Sequence, residues 1–179
     1  GMGAVLTAMT YLQTADVNRI YAASALILAA LVFDVFDGRI ARWRQTSSAL
    51  GRELDSLADV ISFGVAPAAL AYAAGMQGFY DAVVLVYFVA CGVSRLARYN
   101  VTAEALAAGT GKVAYFEGTP IPTSSVLVAL LTLAAAFGAI GDRLWLGAIE
   151  MAGWTLHPLT LLFALSGSLM ISRIRIPKL

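Results

Sequence analysis

Four aspartates, Asp34, Asp37, Asp55 and Asp59, stand as two close pairs in LVFDVFDGRIARWRQTSSALGRELDSLADVISFG, residues 31–64. On helices, Asp34 and Asp37 share a face at i, i+3, and Asp55 and Asp59 share one at i, i+4. Two such faces brought together surround one small volume with carboxylates. Like charges at that range repel strongly in a low dielectric, so the arrangement calls for compensation. Divalent cations supply it, and oxygen-only ligands favour magnesium, manganese or calcium over zinc. Gly38 follows the first pair and lets a phosphate or nucleotide approach the backbone. Arg42 adds a planar donor fork suited to phosphate oxygens. Carboxylates holding two metals beside an arginine make a phosphoryl- or phosphodiester-transfer site. The metals clamp a diphosphate, and a remaining carboxylate takes the proton of an incoming hydroxyl.

The plainer alternative makes Asp34 and Asp37 a helix end, and Asp55 and Asp59 a polar stripe paired with Arg52 or Arg95. That serves for any one aspartate and fails for four, because ionisable groups within membrane segments are costly and usually functional. A small transporter or channel with a carboxylate-lined cation path is a rival of another class, but it leaves the Gly- and Arg-containing linker without a role. A purely structural membrane protein leaves the whole cluster unexplained.

The elements that must position these residues are apolar. Of 179 residues, 60% are hydrophobic and 13% charged, and mean hydropathy is +0.79. Soluble domains carry about 25% charged residues, so a soluble globular protein is a poor fit. A single polytopic membrane domain, residues 1–179, is expected instead. Residues 1–12 are too short to span, being either an interfacial piece or the end of a first spanning helix that begins earlier. QTADVN is a turn, with Asp16 or Asn18 as cap. The uncharged run Tyr21 to Phe33 leads into Asp34, and a linker is expected from Gly38 to Arg52. A third helix should start near Arg52 and reach about Ala74, with irregularity at Gly64 and Pro67. A fourth spans Tyr80 to Ser94 and finishes in RLARYN. Val101 to Gly118 reads as a surface loop with a short interfacial piece. TPIP introduces a fifth helix, Thr123 to about Ile140, and the last runs from about Thr155 to Ile171. Trp145 and Trp154 read as interfacial aromatics.

Cys91, the only cysteine, excludes an intrachain disulfide and reads as a buried thiol. His157, the only histidine, sits among apolar residues and reads as a packing or interfacial group. No nucleic-acid partner is expected. Ten of twelve basic residues fall on one side of this layout: Arg39, Arg42, Arg44, Arg52, Arg95, Arg98, Lys112, Arg173, Arg175 and Lys178. Only Arg19 and Arg143 lie opposite. The positive-inside rule then puts the aspartates at the cytoplasmic face of a multi-pass cell-membrane protein.

Asp34, Asp37-Gly38, Ala41-Arg42, Gly51, Asp55 and Asp59 match the pattern D-x2-D-G-x2-A-R-x8-G-x3-D-x3-D without departure. In this the chain resembles the CDP-alcohol phosphatidyltransferases. The resemblance implies an all-α bundle of six membrane helices, a homodimer, and transfer of a phosphatidyl group from a CDP-linked lipid to an alcohol with release of CMP. It implies that Asp34 and Asp55 bridge two divalent cations, magnesium or manganese, with calcium able to occupy the same place. Asp37 would complete one site, and Asp59 the other while serving as general base. Gly38, Ala41, Arg42, Ser48 and Gly51 would surround the diphosphate and cytidine of the donor.

GRELDSLADVISFGVAPA, CGVSRLARYN, YFEGTPIP and LMISRIRIP resemble the phosphatidylserine synthase subfamily almost end to end. That implies CDP-diacylglycerol as donor and L-serine as acceptor. Sister enzymes using glycerol 3-phosphate, an inositol phosphate or an archaeal ether-lipid donor are the runners-up. The subfamily's PN-containing stretch before helix one is not in this sequence, so the first helix is expected to be truncated. After the proline pair stand Thr123, Ser124 and Ser125, where the subfamily tends to small residues and glycine. Serine brings a carboxylate, for which Arg95 and Arg98, at i, i+3 where helix four meets the cytoplasmic face, are the expected partners. Lys112 is a weaker candidate, because an ammonium fixes carboxylate geometry less well than a guanidinium.

Overall fold

The structure is a computed structural model that describes residues 1–14, 16–44, 49–108, 115–151, 153–172 and 175–177, with backbone only at 41–44, 49, 52, 102–108, 115–117 and 175–177. The uncharged run before Asp34 is helical, as its composition requires. It forms α2, Val17–Arg44, preceded by α1, Met2–Thr14. Asp16 closes the turn between them, accepting from the Asn18 backbone N–H at 3.1 Å.

The linker expected from Gly38 is a correction: α2 continues six residues beyond that glycine. One helical glycine costs only about 1 kcal/mol, and RIARWR consists mostly of good helix formers. Helix α3, Ala49–Asp59, likewise starts before Arg52. A π-helical turn, Val60–Val65, joins it to α4, Ala66–Ala74, so the irregularity expected at Gly64 and Pro67 takes this form. Pro67 has no N–H to return to the Phe63 carbonyl. The buried Ser124 hydroxyl donates to that carbonyl instead, at 2.7 Å. The polar Ser124 after the proline pair thus ties the fifth apolar segment to the irregular turn behind Asp59.

Helix α5, Phe79–Ala108, overruns the expected finish in RLARYN, because TAEALAA propagates a helix well. The first eight residues of the loop expected over Val101 to Gly118 are therefore helix. A strand follows at Tyr115–Glu117 (β1), and 109–114 lie outside the described residues. A 3₁₀ turn, Ile121–Ser124, enters α6, Ser125–Ala136. That helix stops short of Ile140 because Gly138, at φ +67°, turns the chain and lets the Ala139 N–H bond the Ala134 carbonyl at 2.8 Å. A small hairpin, β2 Ile149–Met151 with β3 Trp154–Leu156, precedes a 3₁₀ turn at Pro158–Thr160 and α7, Leu161–Ile171. Strand β4, Arg175–Pro177, pairs antiparallel with β1.

Among the described residues, Val17–Ile40, Glu53–Ala74 and Phe79–Val101 are long and apolar enough to cross a membrane, and Ile121–Ala136 and Pro158–Ile171 are shorter apolar helices. The fold is an all-α membrane-associated bundle with two small β pairs. Lipid is no worse a solvent for leucine than the bundle is, so close approach and packing hold such helices together. Helix α4 supplies small residues, with Ala66, Ala71, Ala73 and Ala74 all buried. Gly167 of α7 meets Phe88 and Cys91 of α5, and the Phe88 and Phe163 rings stack edge to face at 5.2 Å. Cys91 is a buried free thiol, as its apolar setting implies. Large apolar side chains such as Phe33, Val86, Val126 and Leu165 point outward.

At the end of α5 remote from the arginines, Asp81 is wholly buried and accepts four hydrogen bonds. Its donors are the backbone N–H groups of Gly78 (3.0 Å) and His157 (2.8 Å), the Thr160 hydroxyl (2.8 Å) and His157 Nδ1 (2.6 Å). Gly78 is required there, since a Cβ would run into the Thr155 carbonyl. His157 therefore fastens the start of α7 to the start of α5. Nearby, Trp154 packs on Phe79 with ring centroids 4.8 Å apart.

Candidate functional site

Helix α2 brings Asp34 to the place where α3 ends in Asp59. One turn earlier on α3, Asp55 points the same way. Carboxylate oxygens of Asp34, Asp55 and Asp59 all lie within 4.8 Å of one another. Asp34 and Asp59 are half-buried, and Asp55 is exposed. Oxygens around one magnesium, bound at about 2.1 Å, lie roughly 3–4 Å apart, so a small closure of this trio suits a single divalent cation. The donor set is all carboxylate, which selects hard ions. The cluster can thus coordinate one divalent metal. Asp37, three residues beyond Asp34, is exposed and stands outside the trio.

The remaining residues singled out in the sequence are placed unevenly. Gly38 lies on the exposed side of α2 with open space where a Cβ would be. Gly51 is exposed in the first turn of α3. Ala41 and Arg42 belong to the last turn of α2, but their side chains lie outside the described residues, as do Ser48 and Lys112 entirely.

Arg95 comes down α5 to within electrostatic reach of Asp59. Its guanidinium lies over the Tyr99 ring, 5.9 Å from the centroid. Its Nε is buried without a hydrogen-bond partner among the described residues. Arg98, one turn on, is exposed.

A second link between α5 and α3 was not anticipated from sequence. Asn100 Nδ2 donates to Ser56 Oγ at 3.1 Å and to Glu53 Oε1 at 3.3 Å. The signal was present in principle, since Glu53 and Ser56 stand at i, i+3 on α3, about a third of a turn from the aspartates. Nothing local named their partner, 47 and 44 residues later. The Asp81–His157 pair was equally invisible, because its members are 76 residues apart.

Residues 2–166 match the family described as CDP-alcohol phosphatidyltransferase. The chain is similar to a CDP-diacylglycerol–serine O-phosphatidyltransferase of Saccharomyces cerevisiae, 42% identical over 99% of this chain and 66% of that protein. A protein of the same name from Helicobacter pylori is 44% identical over 60% of this chain and 44% of its own length. The archaetidylserine synthase of Methanothermobacter thermautotrophicus is 39% identical over 66% of this chain and 49% of its own. The chain therefore spans about half to two thirds of these relatives' lengths. Two helices converging on a carboxylate trio, at the spacing the signature requires and within a match over 2–166, place this chain in the CDP-alcohol phosphatidyltransferase family.

Proposed function

We propose that the chain transfers the phosphatidyl group of CDP-diacylglycerol to L-serine, giving phosphatidylserine and CMP. The convergence of Asp34, Asp55 and Asp59 carries this reading, because it makes a divalent-cation site at the end of apolar helices, where a lipid diphosphate can reach it. Serine occurs in the names of all three relatives, which supports the acceptor. A CDP-linked archaetidyl lipid is the second reading for the donor.

Two cations are proposed, magnesium or manganese, shared by Asp34 and Asp55, with Asp37 completing one site and Asp59 the other. When bound, they offset the charge of the diphosphate and of the departing CMP. Gly38 and Gly51 leave room beside the backbone for the donor, and Arg42 donates to its phosphate oxygens. The serine hydroxyl oxygen bonds to the phosphatidyl phosphorus as the bond from that phosphorus to the CMP oxygen breaks. The hydroxyl proton passes to Asp59. Direct attack is favoured over a covalent intermediate: Cys91 and His157 are held elsewhere in the fold, and Ser56 is engaged by Asn100. We further propose six spans in one domain, a homodimer, and a cytoplasmic active site, the last on the strength of the ten basic residues.

The acceptor carboxylate is assigned to Arg95 and Arg98. The buried Nε of Arg95, without a hydrogen-bond partner among the described residues and within electrostatic reach of the proposed base, supports this. Arg95→Ala should raise the KM for serine roughly tenfold or more while leaving that for the CDP-lipid little changed, since a hydrogen bond to a charged group contributes about 1.5–3 kcal/mol. Equal weakening of both substrates would return the arginines to the donor site or the membrane surface. Serine recognition would then be sought in Thr119 to Thr123.

CMP release with a panel of alcohols tests the function itself. Turnover with L-serine is expected; turnover with glycerol 3-phosphate and none with L-serine would replace this reading with a sister activity.

A further inference from the structure

Helix α3 carries two of the three clustered carboxylates, yet burial does little to hold it. Leu50, Leu54 and Leu57 are all exposed. The π-helical turn Val60–Val65 joins α3 to the well-packed α4 and offsets the angular register between them, so the face that α3 presents is not a simple continuation of α4's. From α5, Asn100 hydrogen-bonds to α3 through Ser56 at 3.1 Å and Glu53 at 3.3 Å. With 3.6 residues per turn, Glu53 and Ser56 lie about a third of a turn from the face of Asp55 and Asp59.

Resting on the metal-site reading above, we infer that Asn100 is a positioning residue. It fixes the rotation of α3, and with it the distance of Asp55 and Asp59 from Asp34 on α2. The leverage is large. Carboxylates stand about 5 Å from a helix axis, so a rotation of about 20° moves them by roughly 2 Å. Metal–ligand distances tolerate only about 0.2 Å. Because Asn100 sits on the helix that also carries Arg95, one rigid element sets the spacing of the carboxylates and presents a cation beside Asp59.

The test is Mn2+ binding to the purified full chain, followed by the resonance of free Mn2+, with steady-state CMP release measured on the same samples. Asn100→Ala should weaken Mn2+ binding about tenfold, the lower end of what loss of an outer-shell partner costs. Ser56→Ala should shift it the same way, and the double variant should be no worse than Asn100→Ala alone, because both remove one link. Excess Mn2+ should restore turnover in each case, with the KM for serine unmoved. Ser56→Ala carries the test by itself should Asn100→Ala fail to fold. Unchanged Mn2+ affinity in the variants, beside normal binding by the wild type, overturns the inference and leaves the metal site standing. A raised serine KM at unchanged Mn2+ affinity also overturns it, moving Asn100 into the acceptor pocket. A wild-type chain that takes up no Mn2+ removes the metal reading and the inference together.

Discussion

Asp59→Asn is expected to lower CMP release by about 10²–10⁴-fold at saturating substrates, the usual cost of losing a general base, while CDP-lipid binding stays measurable. Asp59 lies within electrostatic reach of Arg95, on the helix proposed to hold the acceptor. An amide keeps the shape and one oxygen but cannot take the serine proton. Asp34 and Asp55 remain to hold a cation, so the donor diphosphate still has an anchor. Two measurements separate the possible roles. Turnover close to wild type would remove Asp59 from the chemistry, and recovery of turnover with excess Mn2+ would make it a ligand rather than the base.

Asp34→Asn is expected to lose binding and turnover together. In the trio, Asp34 is the contribution of α2, whereas Asp55 and Asp59 both belong to α3. Without its charge, the trio would hold a cation from α3 alone, and Asp37, outside the trio, would be the carboxylate of α2 left to draw the two helices to a common ion. Loss of an outer-shell partner already costs 10–100-fold in metal affinity, so loss of this ligand should weaken Mn2+ binding by more than about 100-fold. Donor binding should fall in parallel, because the diphosphate has lost its counter-charge. An Asp34→Asn protein that binds Mn2+ and CDP-lipid normally would mean that Asp55 and Asp59, with Asp37 or other groups, form the site without it.

The site was legible because its members are close in sequence and their spacings match helical geometry. Asp55 and Asp59 could be placed on one helix face from i, i+4 arithmetic, whereas the i, i+3 pairing of Asp34 with Asp37 did not tell that Asp37 stands outside the trio. The apolar runs around them likewise announced membrane helices. Element ends were less legible. Gly38 and the four linker arginines suggested a break, but a lone glycine is a weak breaker and the residues after it favour helix. Thr102 to Ala108 looked polar enough for a loop, although polarity says where a segment faces rather than whether it coils. Least legible were the polar links across the bundle. Asn100 to Ser56, Ser124 to the Phe63 carbonyl and Asp81 to His157 each join segments at least 44 residues apart. No periodicity within one segment can announce such a partner.

The buried Asp81 bears on how the chain is made. Synthesis proceeds from the N-terminus, and earlier segments begin to fold before later ones emerge. When α5 has left the ribosome, the Gly78 N–H is the only one of Asp81's four donors yet made; the other three come from His157 and Thr160. Until those arrive, a carboxylate at the head of an apolar helix lacks most of the bonds that make its burial tolerable. The turn before α7 thus closes the head of α5. A nascent chain that stalls before residue 157 leaves Asp81 without three of its four donors.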